Sequence, residues 1–206
     1  MPIKAVIFDV GGVLLEWSPR ALYHKHFPRL SASEIDEFLR EVDFPDWNLQ
    51  QDRGRPFSEG VAELSARFPH RASLIRAYHE HWPDCIPGPI RGMQELIQTL
   101  KKNRIGIYGL TNFSAEKFSI ARGKYPLFAG FDDVIVSGEV KLVKPDPAIF
   151  HLTLRRIGRL APECVFVDDA ATNVATARSM GFAAIQFRDA GHLERELRRW
   201  GLVGDS

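Results

Sequence analysis

The stretch Ile3-Lys4-Ala5-Val6-Ile7-Phe8-Asp9-Val10-Gly11-Gly12-Val13-Leu14-Leu15 constrains the fold more than any other in the chain. Ala5 to Phe8, with Ile3 before them, form an apolar run of the length and β-branched content of a buried parallel strand. The run ends on an acid, and a Gly-Gly pair follows. Glycines directly after a strand let the backbone turn sharply and approach a ligand closely. A carboxylate at the C-terminal end of a central strand occupies the position where open α/β sheets build their sites. Asp9 is therefore the first candidate for chemistry.

The rest of the chain shows what surrounds that strand. From Glu16 to about Pro87 the pattern is helical, with helices expected over Pro19–Phe27, Ser31–Val42, Phe57–Phe68 and Ala72–Trp82. Ser33, followed by Asp36 and Glu37, reads as a helix start with acids in the first turn. Between the second and third helices, Phe44-Pro45-Asp46-Trp47-Asn48 and Gln51-Asp52-Arg53-Gly54-Arg55 read as a loop rich in polar groups. After Ile86-Pro87-Gly88-Pro89 strands and helices alternate. Strands are expected at Ile105–Leu110, Asp133–Ser137, Cys164–Val167 and Ala183–Phe187. Helices are expected over Ile90–Lys102, Ser114–Arg122, Pro147–Ile157, Ala171–Met180 and His192–Trp200. Such alternation means a mostly parallel sheet covered on both faces. Residues 1–15 and 88–206 then form one α/β, Rossmann-like domain. Residues 16–87 form an all-helical insertion after the first strand, placed as a cap over its C-terminal end.

Composition narrows the function classes. Of 206 residues 45% are hydrophobic and 26% charged, and 27 Lys plus Arg balance 26 Asp plus Glu at a net charge of +1. That balance offers no extended basic surface for nucleic acid or for a membrane. No apolar stretch approaches bilayer length and the N-terminus lacks a signal-peptide pattern, so a cytoplasmic location is expected. Cys85 and Cys164 are far apart, and Cys164 reads as a small buried hydrophobe at a strand start.

Four strands end in polar groups at one edge of the expected sheet: Asp9, then Thr111-Asn112, then Lys144-Pro145-Asp146-Pro147 after a short loop, then Asp168-Asp169. The set suits phosphoryl transfer. Asp9 and Asp169 offer hard oxygen ligands to Mg²⁺, which takes one or two carboxylates plus water and substrate phosphate. Lys144 and the metal would neutralise the charge that keeps a carboxylate from attacking an anionic phosphate. The Thr111 hydroxyl and the N–H groups of the turns after Thr111 and Asp9, Gly11 and Gly12 included, can hold phosphate oxygens. A carboxylate nucleophile then forms an aspartyl-phosphate that water cleaves.

Phe8-Asp9-Val10-Gly11-Gly12-Val13-Leu14, Leu110-Thr111-Asn112, Val143-Lys144-Pro145-Asp146-Pro147 and Phe166-Val167-Asp168-Asp169, with Asn173 beyond, resemble in order and spread the four motifs of the haloacid dehalogenase superfamily. The resemblance implies a Rossmann-like core with a helical cap and a nucleophile at Asp9. It implies a magnesium held by the Asp9 side chain, the Gly11 carbonyl and Asp169, with Asp168 in support. Thr111 and Asn112 would bind phosphate, and Lys144 would steady the charges. The implied partner is a small phosphorylated metabolite, and the implied assembly a monomer or weak dimer.

One position departs from that pattern. Phosphatases of the superfamily usually carry a second Asp two residues after the nucleophile, as general acid and then base; here it is Gly11. Losing such a group costs about two to four orders of magnitude. The chain resembles a branch that keeps Gly here and hydrolyses sugar phosphates, anomeric ones included, whose leaving group leans less on an acid. Another group, such as His24 or His26 of the insertion, could supply the proton. A 2-haloacid dehalogenase needs no proton donor, and a non-catalytic phosphate-ligand-binding protein needs no turnover. Trp17, Arg20, Trp47, Arg53 and Arg55 are the candidates to set specificity from the cap.

Overall fold

The computed structural model describes residues 2–204. Five strands, β1 (Ala5–Phe8), β2 (Gly106–Thr111), β3 (Asp133–Val136), β4 (Cys164–Asp168) and β5 (Ala183–Gln186), form one sheet in the order β3-β2-β1-β4-β5. Every pairing is parallel, with Phe8 level with Gly109 on one side and Val167 on the other. The chain moves from β1 to β2 on one side and later to β4 on the other. The C-terminal end of β1 is therefore the topological switch point, where the crevice of such a sheet opens.

The two sides of β1 explain its unbroken apolar run. Val6 and Phe8 pack with Met93 and Leu96 of α6 (Met93–Lys102) and with Leu193 and Leu197 of α11 (Ala190–Arg199). Ala5 and Ile7 face Ile149 and Phe150 of α9 (Pro147–Ile157) and Ala177 of α10 (Ala171–Ser179). All four strand residues are fully buried. At roughly 1.5–3 kcal/mol for each large side chain, a one-residue slip of β1 would be prohibitive, so the position of Asp9 is fixed by the sheet. The remaining sheet-side helices are α7 (Ala115–Lys124) and the single turn α8 (Ser137–Val140).

Five helices lie between β1 and α6: α1 (Pro19–His26), α2 (Ala32–Glu41), α3 (Phe44–Asp52), α4 (Phe57–Arg67) and α5 (Ala72–Glu80). They close around aromatic side chains, with Tyr78 edge-on to Phe44 at 4.8 Å and to Trp47 at 5.7 Å. The chain enters and leaves this segment through two crossings bonded to each other, Glu16 N–H to Gly88 O at 2.9 Å and Ser18 N–H to Cys85 O at 2.7 Å. No helix of the described residues is long and apolar enough to cross a membrane. Cys85 and Cys164 are both buried free thiols.

Three local expectations are corrected. The polar stretch 44–52 is the helix α3 and not a loop. Pro45 lies in its first turn, where the missing N–H is tolerated. Its buried face includes Gln51, whose amide bonds back to the Trp47 carbonyl, so the inner face reads as polar in the sequence. Helix α2 starts where its expected range does, but its cap is Ser31 rather than Ser33. The Ser31 hydroxyl accepts the Glu34 N–H at 3.3 Å while Glu34 accepts the Ser31 N–H at 2.8 Å, a reciprocal cap. Helix α5 stops at Glu80, because Pro83 cannot continue it, and Trp82–Cys85 form a 3₁₀ turn.

Candidate active site

Asp9 lies at the tip of β1, 9% exposed. Its Oδ1 accepts the Val10 N–H at 2.7 Å and the Lys144 ammonium at 2.8 Å. Among the described residues no protein donor reaches its Oδ2, and the residue lines a cavity of about 290 Å³. Lys144 is 3% exposed and also donates to Asp168 Oδ2 at 2.7 Å. Asn112 holds it in place: the Asn112 Oδ1 accepts the Lys144 N–H at 2.8 Å, and the Asn112 amide donates to the Lys144 carbonyl at 2.9 Å. Asn112 thus reaches the cavity wall with its amide committed to the lysine's backbone.

Asp168 is fully buried, and its oxygens are filled by Lys144, by the Asn173 amide at 3.0 Å to each oxygen, and by the Ala170 N–H at 2.8 Å. Asp169, next along, is exposed and lines the cavity with Gly11, Gly12 and Thr111. Gly12 has φ +76°, and a Cβ there would lie 2.5 Å from Asp169 Oδ2, so glycine is required both by the turn and by the room the carboxylate takes. Gly11 is not crowded in this way. A Cβ on it would meet the Trp17 Cβ at an ordinary 3.8 Å, so packing does not forbid a side chain at that position.

The electrostatics follow from three acids against one buried cation. Burial pushes the Asp9 carboxyl up to about 7, Lys144 pulls it down, and Asp168 pushes it further up. Burial alone would discharge Lys144, but Asp9 and Asp168 hold it above the ordinary lysine range. Burial and Asp168 likewise raise Asp169. Ligand oxygens of Asp9, Asp168 and Asp169 all lie within 4.8 Å of one another. An all-oxygen set that is short of positive charge fits a small hard divalent cation.

Every sequence-predicted strand-tip residue reaches this one crevice: Asp9, Gly11, Gly12, Thr111, Asn112 and Asp169 at the cavity, with Lys144 and Asp168 directly behind. The insertion behaves otherwise. Of Trp17, Arg20, Trp47, Arg53 and Arg55, the cavity lining includes Trp17 alone. Arg20 pairs with Asp36, Arg55 with Gln51 and Glu63, Trp47 donates to the Gly60 carbonyl, and Arg53 faces a separate groove. His26 binds Asp84 at 2.7 Å and stacks on His81, and His24 is exposed, so neither reaches the cavity. Asn48, Asp52, Phe57, Tyr78, Trp82 and Lys117 do line it. Asn48 and Asp52 stand four residues apart, the spacing of one helix face, a signal hidden by reading 44–55 as a loop.

A crevice at the switch point of a parallel sheet, with a half-free carboxylate backed by a buried lysine, marks a class of hydrolytic enzymes. Residues 3–181 match the family model described as haloacid dehalogenase-like hydrolase, and the chain belongs to that family. It is 29% identical over 205 residues to the sesquiterpene phosphatase astK of Aspergillus oryzae, covering 98% of this chain and 97% of that protein. It is 29% identical over 201 residues to drimenol cyclase drtB of Aspergillus calidoustus, but spans only 36% of that protein's length. Among solved structures it is similar to a haloacid dehalogenase family enzyme of Bacteroides thetaiotaomicron in complex with magnesium and inorganic phosphate. That match has a TM-score of 0.68 and 23% identity, and covers 93% of this chain and 98% of the other.

Proposed function

We propose that the protein is a Mg²⁺-dependent phosphatase of small phosphate monoesters, sugar phosphates included, working through an aspartyl-phosphate on Asp9. The observation that carries this reading is the state of Asp9. One carboxylate oxygen is pinned by Lys144 and the Val10 N–H, and the other is left without a protein donor on a residue that lines the cavity. That is the arrangement of an oriented nucleophile.

The Asp9 and Asp169 carboxylates and the Gly11 carbonyl would hold the metal, with Asp168 supporting through Lys144 and Asn173. When bound, the ion supplies positive charge to the phosphoryl oxygens. Thr111 and the turn N–H groups after Asp9 and Thr111 would orient the phosphoryl group. Lys144 keeps Asp9 from being repelled by Asp168 and counters the charge that gathers during transfer. Trp17, Phe57, Tyr78, Trp82 and Phe113 line the cavity as an aromatic wall, suited to a ring face or short hydrocarbon leaving group. The volume, about 290 Å³, matches the lower end of small-molecule sites at about 300 Å³.

Phosphate release from a panel of phosphorylated metabolites is expected only in the presence of Mg²⁺. Phosphate binding without turnover on any ester would favour a binding protein instead, and chloride release from 2-chloropropionate a dehalogenase. A second expectation concerns the metal. Gly12→Ala forces an L-residue into a left-handed backbone at about 1–2 kcal/mol and displaces Asp169. Its Mg²⁺ half-saturation for activity is expected to rise about tenfold or more, as disturbing the groups that orient a metal's ligands does. An unchanged titration would remove Asp169 from the ligand set.

A further inference from the structure

Gly11 leaves the site without a proton donor on the nucleophile's own loop, and packing does not account for its absence. The question is which other group on the cavity wall can hold a proton and release it at neutral pH. Three titratable groups approach from outside the strand tips: Tyr78, Lys117 and Asp52. Burial pushes the Tyr78 phenol well above its ordinary range, and its hydroxyl is spent on Asn48 Oδ1 at 2.9 Å, so it does not release a proton at neutral pH. Lys117 is tied down, its ammonium 2.9 Å from both His79 Nδ1 and the His79 carbonyl and 4.6 Å from the Phe57 ring centroid.

Asp52 is placed differently. It is the last residue of α3, at the negative end of the helix dipole, where an ionised carboxylate is disfavoured. Its main chain is fastened across to the sheet domain, with its carbonyl accepting the Ser137 hydroxyl at 2.6 Å. Its side chain accepts the Asn48 amide at 3.1 Å, and the Ser114 N–H, two residues past the Thr111-Asn112 pair, is near enough to pull its pKa down. The carboxyl is thus oriented at the cavity wall, near Asp9.

We propose that Asp52 is the general acid and base of this enzyme, supplied by α3 in place of the acid missing at Gly11. The inference rests on the phosphatase reading above. In the first step an Asp9 carboxylate oxygen bonds to phosphorus as the bond from phosphorus to the leaving oxygen breaks. The Asp52 proton passes to that oxygen, and the alcohol departs. In the second step water gives a proton back to the Asp52 carboxylate, and its oxygen bonds to phosphorus. The bond from Asp9 to phosphorus breaks, hydrogen phosphate leaves, and both carboxyl groups return to their starting states.

Electrostatics agree with this placement. Burial pushes the Asp52 carboxyl up to about 7; the Ser114 N–H pulls it down, Asp9 pushes it further up, and Lys144 pulls it down. The titratable groups facing it are Asp9 and Asp169 at the strand tips, Lys144 behind them, Lys117 of α7 and Tyr78 of α5. An acid poised near neutral pH both holds and gives up its proton during turnover.

The test compares kcat/KM for an alkyl phosphate, whose leaving oxygen needs a proton, with p-nitrophenyl phosphate, whose leaving group departs as a stable phenolate. Both are measured in saturating Mg²⁺. Asp52→Asn is expected to lower the alkyl value by about two to four orders of magnitude and the nitrophenyl value by less than about tenfold. In the unaltered enzyme the ratio of alkyl to nitrophenyl kcat/KM is expected to fall as pH rises past about 7. Titrations of Asp9 and of the metal site act on both substrates and cancel in that ratio. Equal losses on the two esters in a folded Asp52→Asn protein would overturn the assignment, as would a ratio that does not change with pH. A selective alkyl loss in Lys117→Met, with none in Asp52→Asn, would move the role to the lysine. The pH ratio needs no variant, so a flat ratio overturns the assignment even if Asp52→Asn does not fold, and a falling ratio that persists in Lys117→Met supports it. An unaltered enzyme that releases phosphate from neither ester would sink the phosphatase reading itself, whereas any of the outcomes above overturns the Asp52 assignment alone.

Discussion

Asp9→Asn is expected to abolish phosphate release, by at least about four orders of magnitude, the scale of removing a covalent nucleophile. The amide has the same shape and keeps an oxygen for the Val10 N–H, so the turn after β1 survives. It also removes a charge that burial makes costly, the burial that raises the Asp9 carboxyl against the pull of Lys144. The variant should therefore melt close to the unaltered protein while losing all turnover. Mass spectrometry should find no phosphoryl adduct on it after substrate is mixed and quenched. Near-normal activity in a folded Asp9→Asn protein would refute the nucleophile assignment outright.

The second large effect is on stability as well as rate. Lys144 is the one positive charge shared by the buried carboxylates of Asp9 and Asp168. Removing one partner of a buried ionic group while leaving the others typically costs about 3–5 kcal/mol. For a chain of this size that corresponds to a drop in Tm of roughly 6 to 20 °C. Lys144→Met, which keeps the stem and removes the charge, is the variant to melt. The sign with pH follows from the Asp9 carboxyl. Its folded pKa is raised above the unfolded value, so the folded state binds more protons, and stability falls as pH rises toward about 7. Without the lysine the Asp9 carboxyl is raised further, so the fall continues to higher pH, and the deficit should shrink in mildly acidic buffer and widen above neutral pH. Added Mg²⁺ should recover part of the lost Tm by supplying the missing positive charge. A Lys144→Met protein that melts within about 2 °C of its parent, no more than about 1 kcal/mol produces, would show that the carboxylates shed their charge with little consequence.

Why so much of the strand-tip crevice was legible, and the facing wall was not, has a physical cause. Asp9, Thr111, Asp168 and Asp169 are each attached to a strand whose apolar run is set by burial on both faces. Once the strands are found, their tips are found too. Lys144 is read from its motif, Val143-Lys144-Pro145-Asp146-Pro147, rather than from a strand tip, since α8 and residues 141–143 stand between it and β3. The wall contributed by residues 16–87 lacks such an anchor. Its helices bury aromatic and polar side chains on the same faces, as α3 does with Trp47 and Gln51, so the apolar stripe that announces a helix is interrupted. Arg53 and Arg55 looked like ligand-binding groups only because the turn of helix before them went unseen. With α3 in place, Arg55 turns to Gln51 and Glu63, and Asp52 and Asn48 face inward.

The pair of crossings on either side of the helical segment has a further consequence. Glu16 and Ser18 bond to Gly88 and Cys85, and Ile90 to Leu14, so the two ends of the segment are already joined at its base. Whatever lies between them closes a loop whose entropic cost grows only with the logarithm of its length. Side chains and even whole turns can be gained or lost there without shifting a single rung of the β1 ladder. Cavity-lining side chains of this segment, such as Asn48, Asp52 and Tyr78, can then vary while the strand-tip residues stay fixed.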